Sequence, residues 1–144
     1  MKIWQHGYTV KELNAMATDC IEEHLGIEIV EVGDDYLSAT MPVDHRTRQP
    51  FGILHGGAVV VLAETLGSLA STLCIDSNTQ SSVGIEVNAN HIRQVKEGMV
   101  KGTARPVHLG KKIHIWEIKI LNTSQKLVSI CRLTVAILNK NKLH

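Results

Sequence analysis

Near the N-terminus, apolar residues recur every three or four positions, which is the period of an α-helix. The spacing of Thr9 and Glu12 is that of a capping box, in which a hydroxyl and a carboxylate satisfy the first free backbone N–H groups. Gly26 is placed to end the helix. This pattern predicts one short amphipathic helix over residues 10–24.

The next apolar runs have the character of β-strands. Ile27–Val32 and Tyr36–Met41 are separated by Gly33-Asp34-Asp35, a spacing that predicts a hairpin. The polar stretch from Pro42 to His55 then predicts a long loop, and loops of this length in compact domains are more often functional than idle.

Between Gly56 and Ile75 the chain is apolar almost throughout, with Glu64 as the single charged residue. A helix that is apolar on all sides is either buried in a protein core or inserted in a membrane. An acid in the middle of a bilayer is costly, and the segment also holds several serine, threonine and glycine residues. We therefore favour a buried central helix.

Toward the C-terminus the pattern is that of strands separated by polar or glycine-containing breaks. We predict four of them, at Ser82–His91, Met99–Val107, Ile113–Leu121 and Leu127–Leu138. No helix separates these strands, so they cannot form parallel βαβ units. The simplest fold is of the α+β class, with an antiparallel β-sheet of five to six strands wrapped around the long central helix. The open edges of such a sheet favour oligomerisation.

Composition narrows the possible functions. The 144 residues suit one compact domain over residues 1–144, and a formal net charge of +1 lacks the basic signature of nucleic-acid-binding proteins. The three cysteines are widely spaced in apolar surroundings, which indicates reduced thiols, and no clustered His and Cys pattern suggests a metal site. The first residues lack the apolar core of a signal peptide, so we expect a cytoplasmic protein.

The most informative segment surrounds the start of the central helix. Glycines at positions 56 and 57 let a ligand approach closely, and the free N–H groups of a helix start attract the negative charge of a tetrahedral oxyanion. Glu64 and Ser68 are four residues apart and so share one helix face. A lone acid in an apolar helix is costly unless it is solvated or hydrogen-bonded. Glu64 is therefore the candidate reactive group, with a structural ion pair as the alternative.

This segment also resembles a known family. The stretch PFGILHGGAVVVLAETLGS, from Pro50 to Ser68, resembles the active-site segment of hotdog-fold thioesterases of the Arthrobacter-type 4-hydroxybenzoyl-CoA and phenylacetate-pathway group. MPVDHRTRQPFGILHGG, VGIEVNANHIRQV and GTARPVHLGKKIHIWEI match that family in the same order. The resemblance implies a hotdog domain that hydrolyses acyl-CoA thioesters. The likeness is greatest to the branch that releases 1,4-dihydroxy-2-naphthoate from its CoA ester in menaquinone biosynthesis.

The resemblance implies the catalytic residues. Glu64 attacks the thioester or activates water, and the backbone N–H of Gly56 polarises the carbonyl with Gln49 nearby. His55 lies beside the thioester, where it assists departure of the thiolate or only caps the helix. Ser68 orients Glu64 or the water, or bonds back to the helix backbone. In the family, Gln49, His55 and Gly56 come from one chain, and Glu64 and Ser68 from its partner.

For coenzyme A the resemblance implies two contact regions, one after a strand that borders the pocket and one at a turn that meets the nucleotide. The predicted contacts are Asn90, His91, Arg93, His108, Gly110, Lys111 and Lys112. The lysines stand where relatives often have arginines, so they supply positive charge to phosphate without the bidentate fork.

Together these features predict a thioester hydrolase acting on an aryl-CoA such as 1,4-dihydroxy-2-naphthoyl-CoA or a hydroxybenzoyl-CoA, with no metal and no cofactor beyond the coenzyme A of the substrate. The implied partner is a second copy of the chain, with a homotetramer built as a dimer of dimers, and neither nucleic acid nor membrane is expected. Three alternatives stay open: a broad-specificity housekeeping thioesterase, a hotdog hydratase or dehydratase, and a non-catalytic acyl-CoA-binding module.

Overall fold

The computed structural model describes residues 1–142, in which a six-stranded antiparallel sheet surrounds one long helix. The helices are α1 (Val10–Ala15), α2 (Ile21–Leu25) and α3 (Gly56–Cys74). The strands are β1 (Glu28–Val32), β2 (Leu37–Val43), β3 (Gln80–His91), β4 (Gly98–Leu109), β5 (Ile113–Asn122) and β6 (Leu127–Asn139), followed by a short 3-10 helix (Lys140–Lys142). Across the sheet the order is β1-β2-β4-β5-β6-β3. The predicted α+β hotdog architecture is confirmed.

The single helix predicted over residues 10–24 is wrong, because the chain forms α1 and α2 with a bend between them. Asp19 in the bend has a φ of 54°, a left-handed conformation that cannot continue a right-handed helix. Its N–H donates to the Glu23 carboxylate at 2.7 Å. Both predicted ends are nevertheless present: the Thr9–Glu12 capping box opens α1, and Gly26 closes α2 with a φ of 72°.

The helix α3 forms the centre of the core. It contacts strands β2 to β6, and its Leu62 and Leu66 are completely buried against the sheet. Burial of a leucine side chain contributes about 1.5–3 kcal/mol. The helix is long and apolar enough to span a membrane by composition, but the sheet wraps it as the core helix of a soluble fold.

The two edges of the sheet differ in how they are covered. At β1, the Asn14 side chain donates to the Ile29 carbonyl and accepts from the Ile29 N–H, each at 2.8 Å, so that it imitates a neighbouring strand. The strand β3 forms the opposite edge and has no further strand beside it within residues 1–142. Its Val83 and Ile85 are exposed. An open apolar edge of this kind favours pairing with another chain.

A small polar cluster lies inside the core near the C-terminal end of α3. Trp116 Nε1 donates to Ser71 Oγ at 2.7 Å, and Ser71 Oγ lies 3.1 Å from His114 Nδ1. Burial, with a smaller effect of His108, lowers the pKa of His114 from its ordinary value of 6.5, against the opposing effect of the Gly110 backbone. The His114 ring is therefore neutral at neutral pH, and its Nδ1 is free to accept from the Ser71 hydroxyl.

We expect Asn14→Ala to destabilise the protein, because it removes both hydrogen bonds to Ile29 at the β1 edge. The expected loss is about 1–3 kcal/mol in the free energy of unfolding, measured by urea denaturation. Asn139→Ala is the matched control, since Asn139 is exposed and its change should lie within about 0.5 kcal/mol of wild type. Equal effects of the two substitutions would contradict a covering role for Asn14.

We also expect the stability of the protein to depend on the titration of His114. A buried neutral histidine binds protons more readily in the unfolded chain, so stability should be fully present above pH 6.5 and fall as pH decreases below it. His114→Gln should make this fall shallower between about pH 7 and 5, measured by urea denaturation at several pH values. His24→Gln, at an exposed position, should retain the wild-type slope.

Candidate active site

The start of α3 leaves one backbone donor free. His55 is the N-cap, and its Nδ1 accepts from the Gly57 N–H at 2.7 Å. The His55 carbonyl accepts the N–H groups of Ala58 and Val59 at 3.1 and 3.2 Å. Within residues 1–142, no acceptor is bonded to the N–H of Gly56. Because N–H groups at a helix start point away from the helix, this donor is available to a ligand.

A cavity of about 390 Å³ opens at this N–H. Its lining includes Gln49, Gly56, His91, Arg93 and Ser129. A Cβ atom at position 56 would lie 2.7 Å from His91 Nε2, so glycine is what lets the imidazole lie against the helix start. The predicted residues Gln49, Gly56, His91 and Arg93 therefore share one cleft.

The His91 ring is held by a partner that sequence reasoning missed. Its Nδ1 lies 2.8 Å from the hydroxyl of Ser129, which is completely buried in β6. The only signal in the sequence was a serine among the apolar residues of a strand, and this pattern does not identify its partner. His91 is a predicted coenzyme A contact, and the structure places its ring against Gly56 at the start of α3.

Gln49 and His55 each have one polar atom engaged by the local backbone. Gln49 Oε1 accepts from the Phe51 N–H, which leaves the side-chain NH₂ of Gln49 as a donor. Because His55 Nδ1 accepts from Gly57, the proton of the neutral ring is on Nε2. The capping role of His55 is confirmed, and its part in thiolate departure stays a prediction.

Glu64 lies eight residues beyond Gly56, about 12 Å along the helix axis. Its carboxylate lies over the edge strand, because a Cβ atom at Gly84 of β3 would be 2.7 Å from Glu64 Oε1. No salt bridge of Glu64 occurs among the described residues, so the ion pair considered from the sequence is not observed. The acid is half-buried at the open edge of the sheet.

A separate cavity of about 300 Å³ contains Glu64. It is lined by Ile21, Glu22, Val61, Glu64, Thr65 and Ser68. The Ser68 hydroxyl donates to no group within residues 1–142, so the predicted alternative of a bond back to the helix is not seen. This cavity shares no residue with the cleft at Gly56. One chain therefore does not bring Glu64 and the Gly56 N–H together.

The predicted coenzyme A contacts are divided between the two ends of the sheet. His91 pairs with Ser129 of β6, whereas Ile113, at the end of the turn with the lysines, pairs with Ala136. Ser129 and Ala136 are seven residues apart, which is roughly 23 Å along a strand. Asn90 is exposed on β3 and does not line the cleft. Of the predicted residues at the distant turn, His108, Lys111 and Lys112 are exposed and Gly110 is partly buried.

Cys74 and Cys131 do not supply a nucleophile. Burial raises the pKa of Cys74 to about 12 and that of Cys131 to about 11. Both thiols are protonated at neutral pH, and the thiolate is the reactive form. This agrees with the sequence-based interpretation of Cys74 as a core residue.

Comparison with known proteins identifies the family. The family model described as the thioesterase superfamily matches residues 51–129. The chain is 49% identical over 136 residues to the 1,4-dihydroxy-2-naphthoyl-CoA hydrolase of Escherichia coli K12, covering 94% of this chain and 99% of that protein. It is 47% identical to the proofreading thioesterase EntH of Cronobacter turicensis, covering 94% and 98% of the two chains.

A solved structure gives the same result. The crystal structure of a thioesterase from Haemophilus influenzae has a TM-score of 0.94 and 46% identity to this chain, and the match covers 99% of each. These matches cover the whole hotdog core of the chain. The chain therefore belongs to the thioesterase superfamily and is a thioester hydrolase.

Proposed function

We propose that the protein hydrolyses aryl-CoA thioesters at sites shared between two copies of the chain. The observation that carries this proposal is the free N–H of Gly56 in a cleft whose lining, among the described residues, contains no carboxylate. Glu64, the candidate carboxylate, instead lies at the open edge of the sheet against Gly84. Each half of the site therefore needs a complement that a second chain can provide.

Pairing of two copies through β3 supplies this complement. The edge is open and exposes Val83 and Ile85, whereas Asn14 covers the opposite edge of the sheet. In a two-fold dimer the same edge of each copy meets its counterpart. Glu64 and Ser68 of one copy are then directed toward the Gly56 cleft of the other, and two identical sites result. Further association into a dimer of dimers is part of the proposal.

The chemistry follows from these groups. The thioester carbonyl oxygen accepts a hydrogen bond from the Gly56 N–H. This hydrogen bond stabilises the negative charge that develops on the oxygen when the carbonyl carbon is attacked. Glu64 either removes a proton from water, whose oxygen attacks the carbon, or attacks it directly to give an anhydride that water then hydrolyses. The C–S bond breaks in both routes. The His55 Nε2–H donates a hydrogen bond to the departing thiolate, which takes its proton from solvent, or from Glu64 where Glu64 has removed one from water. The products are a carboxylic acid and coenzyme A.

The aryl substrate is supported by the relatives. The Escherichia coli relative is named for 1,4-dihydroxy-2-naphthoyl-CoA, and this chain matches 99% of its length. A role in menaquinone biosynthesis is the corresponding proposal for this chain, with a hydroxybenzoyl-CoA as the other aryl candidate. The three free cysteines support a cytoplasmic location. The exposed cations of the Lys111–Lys112 turn are proposed contacts for the phosphates of coenzyme A.

Mixing two inactive variants tests the shared site. Glu64→Ala and Gln49→Ala should each lower kcat/KM for hydroxybenzoyl-CoA by about 100-fold or more, because each removes a group that acts in the transition state. Unfolding and refolding an equal mixture should restore about a quarter of wild-type activity, because half of the dimers are mixed and each has one intact site. Thiol release is the measurement.

Two results would count against the proposal. If both halves of the site lay in one chain, the mixed dimers would contain no intact site and no activity would return. If the wild-type protein released no thiol from any acyl-CoA, thioester hydrolysis itself would be refuted. Glu97→Ala, at an exposed position, is the control for loss of an acidic side chain.

The contact between Gly84 and Glu64 gives a second prediction. In Gly84→Ala the added Cβ would lie 2.7 Å from Glu64 Oε1, so the flexible carboxylate must move while the fold is retained. Displacement of a reactive group by about 1 Å costs up to roughly 100-fold in rate, so kcat should fall by about 10- to 100-fold. Gly7→Ala is the matched control, because a Cβ there has no neighbour within 4 Å. A wild-type kcat for Gly84→Ala would contradict the assigned position of Glu64.

A further inference from the structure

Two cavities meet at Glu22, in the first turn of α2. The cavity that contains Glu64 has Glu22, Thr65 and Ser68 in its wall. A second cavity, of about 310 Å³, lies beneath α1 and α2 and is lined by the same three residues. Because the two share this wall, the space beneath α1 and α2 adjoins the cavity that contains the Glu64 carboxylate.

The second cavity suits a compact apolar group. Its apolar lining comes from α1, the bend after it, β1 and α3, and includes Leu13, Met16, Ala17, Ile27, Ile29 and Leu69. The volume is near the lower end of the range for small-molecule pockets, which begins at about 300 Å³. A ring system is therefore a better match to this space than a long, extended chain.

Glu22 is the one charged residue in the lining of this second cavity. The Thr65 hydroxyl donates to Glu22 Oε1 at 3.2 Å. Burial acts to raise the pKa of Glu22, but hydrogen bonds from Cys20, from its own backbone and from Thr65 outweigh this effect and leave the pKa below 4.5. The side chain is thus an ionised carboxylate at neutral pH. Such a group has about four acceptor positions and no donor, so a ligand hydroxyl can bind beside Thr65.

We propose that this second cavity receives the acyl group of the substrate and that Glu22 selects aryl groups carrying a hydroxyl within reach of its carboxylate. The inference rests on the thioester hydrolysis at Glu64 proposed above. A hydroxyl on the ring donates to Glu22, whereas an unsubstituted ring removes water from the carboxylate without replacing the hydrogen bond. A ring bearing a carboxylate meets a like charge.

The test compares benzoyl-CoA with the 2-, 3- and 4-hydroxybenzoyl-CoA isomers by kcat/KM. The wild-type protein should prefer at least one hydroxylated isomer over benzoyl-CoA by about 10- to 100-fold, the range expected for a hydrogen bond to a charged group. In Glu22→Leu this ratio should fall toward one. Glu22→Gln, which keeps the shape and one acceptor oxygen, should have an intermediate ratio. Glu97→Leu should keep the wild-type ratio, since Glu97 is exposed and lines neither cavity.

The outcomes separate this inference from the proposed function. A wild-type protein without preference for any hydroxylated isomer would overturn the role of Glu22, as would unchanged ratios in both variants. A uniform loss on all substrates in Glu22→Gln would show a structural role only, and this variant decides the matter if Glu22→Leu does not fold. Failure of the wild-type protein to release thiol from any acyl-CoA would instead refute thioester hydrolysis.

Discussion

The rise per residue of the helix α3 fixes the distance between the two candidate reactive groups, the Gly56 N–H and the Glu64 carboxylate. A free backbone donor exists only at the helix start, because N–H groups further along the helix bond to the preceding turn. Glu64 lies eight residues later, about 12 Å along the helix axis, and a regular α-helix keeps the two groups at this separation. Gly56 and Glu64 therefore open into different cavities of one chain. Any chemistry that uses both must bring a second helix alongside the first.

The sheet controls where that second helix can come from. Asn14 satisfies both backbone groups of Ile29, so the β1 edge offers no free pair of hydrogen-bonding groups at that point. The β3 edge is long and carries exposed apolar side chains, and it passes directly under the Glu64 carboxylate at Gly84. The strand that is open for pairing is thus the same strand that contacts the candidate reactive acid. Assembly and chemistry are coupled through one element.

The elements with a strong periodic signal could be predicted from the sequence. The apolar run of α3 and the four later strands follow from residue pattern alone, and the segment from Pro50 to Ser68 locates the candidate residues. The bend at Asp19 could not be predicted, because the apolar spacing continues across it and the left-handed φ depends on a local bond to Glu23. A capping box and a terminal glycine delimit a helical region without showing that it is continuous.

Contacts between residues that are far apart in the chain also could not be predicted from the sequence. The pairing of His91 with Ser129 joins residues on β3 and β6, and their chemistry becomes visible only through the strand register. The two predicted contact regions for coenzyme A could be recognised from the sequence, but only the register of β6 shows that they lie at opposite ends of the sheet. A linear motif identifies residue types and their order. It does not determine which of them face a common space.

The bend that the sequence did not reveal is also what shapes the space next to Glu64. Its residues Met16, Ala17 and Cys20 line the cavity beneath α1 and α2, and Glu22 follows at the start of α2. Hydrogen bonds from Cys20, from the Glu22 backbone itself and from Thr65 outweigh the burial of Glu22 and keep its pKa below 4.5, so the carboxylate is ionised at neutral pH. A carboxylate has about four acceptor positions, so a ligand hydroxyl beside the Glu64 cavity can donate to one that these bonds leave open.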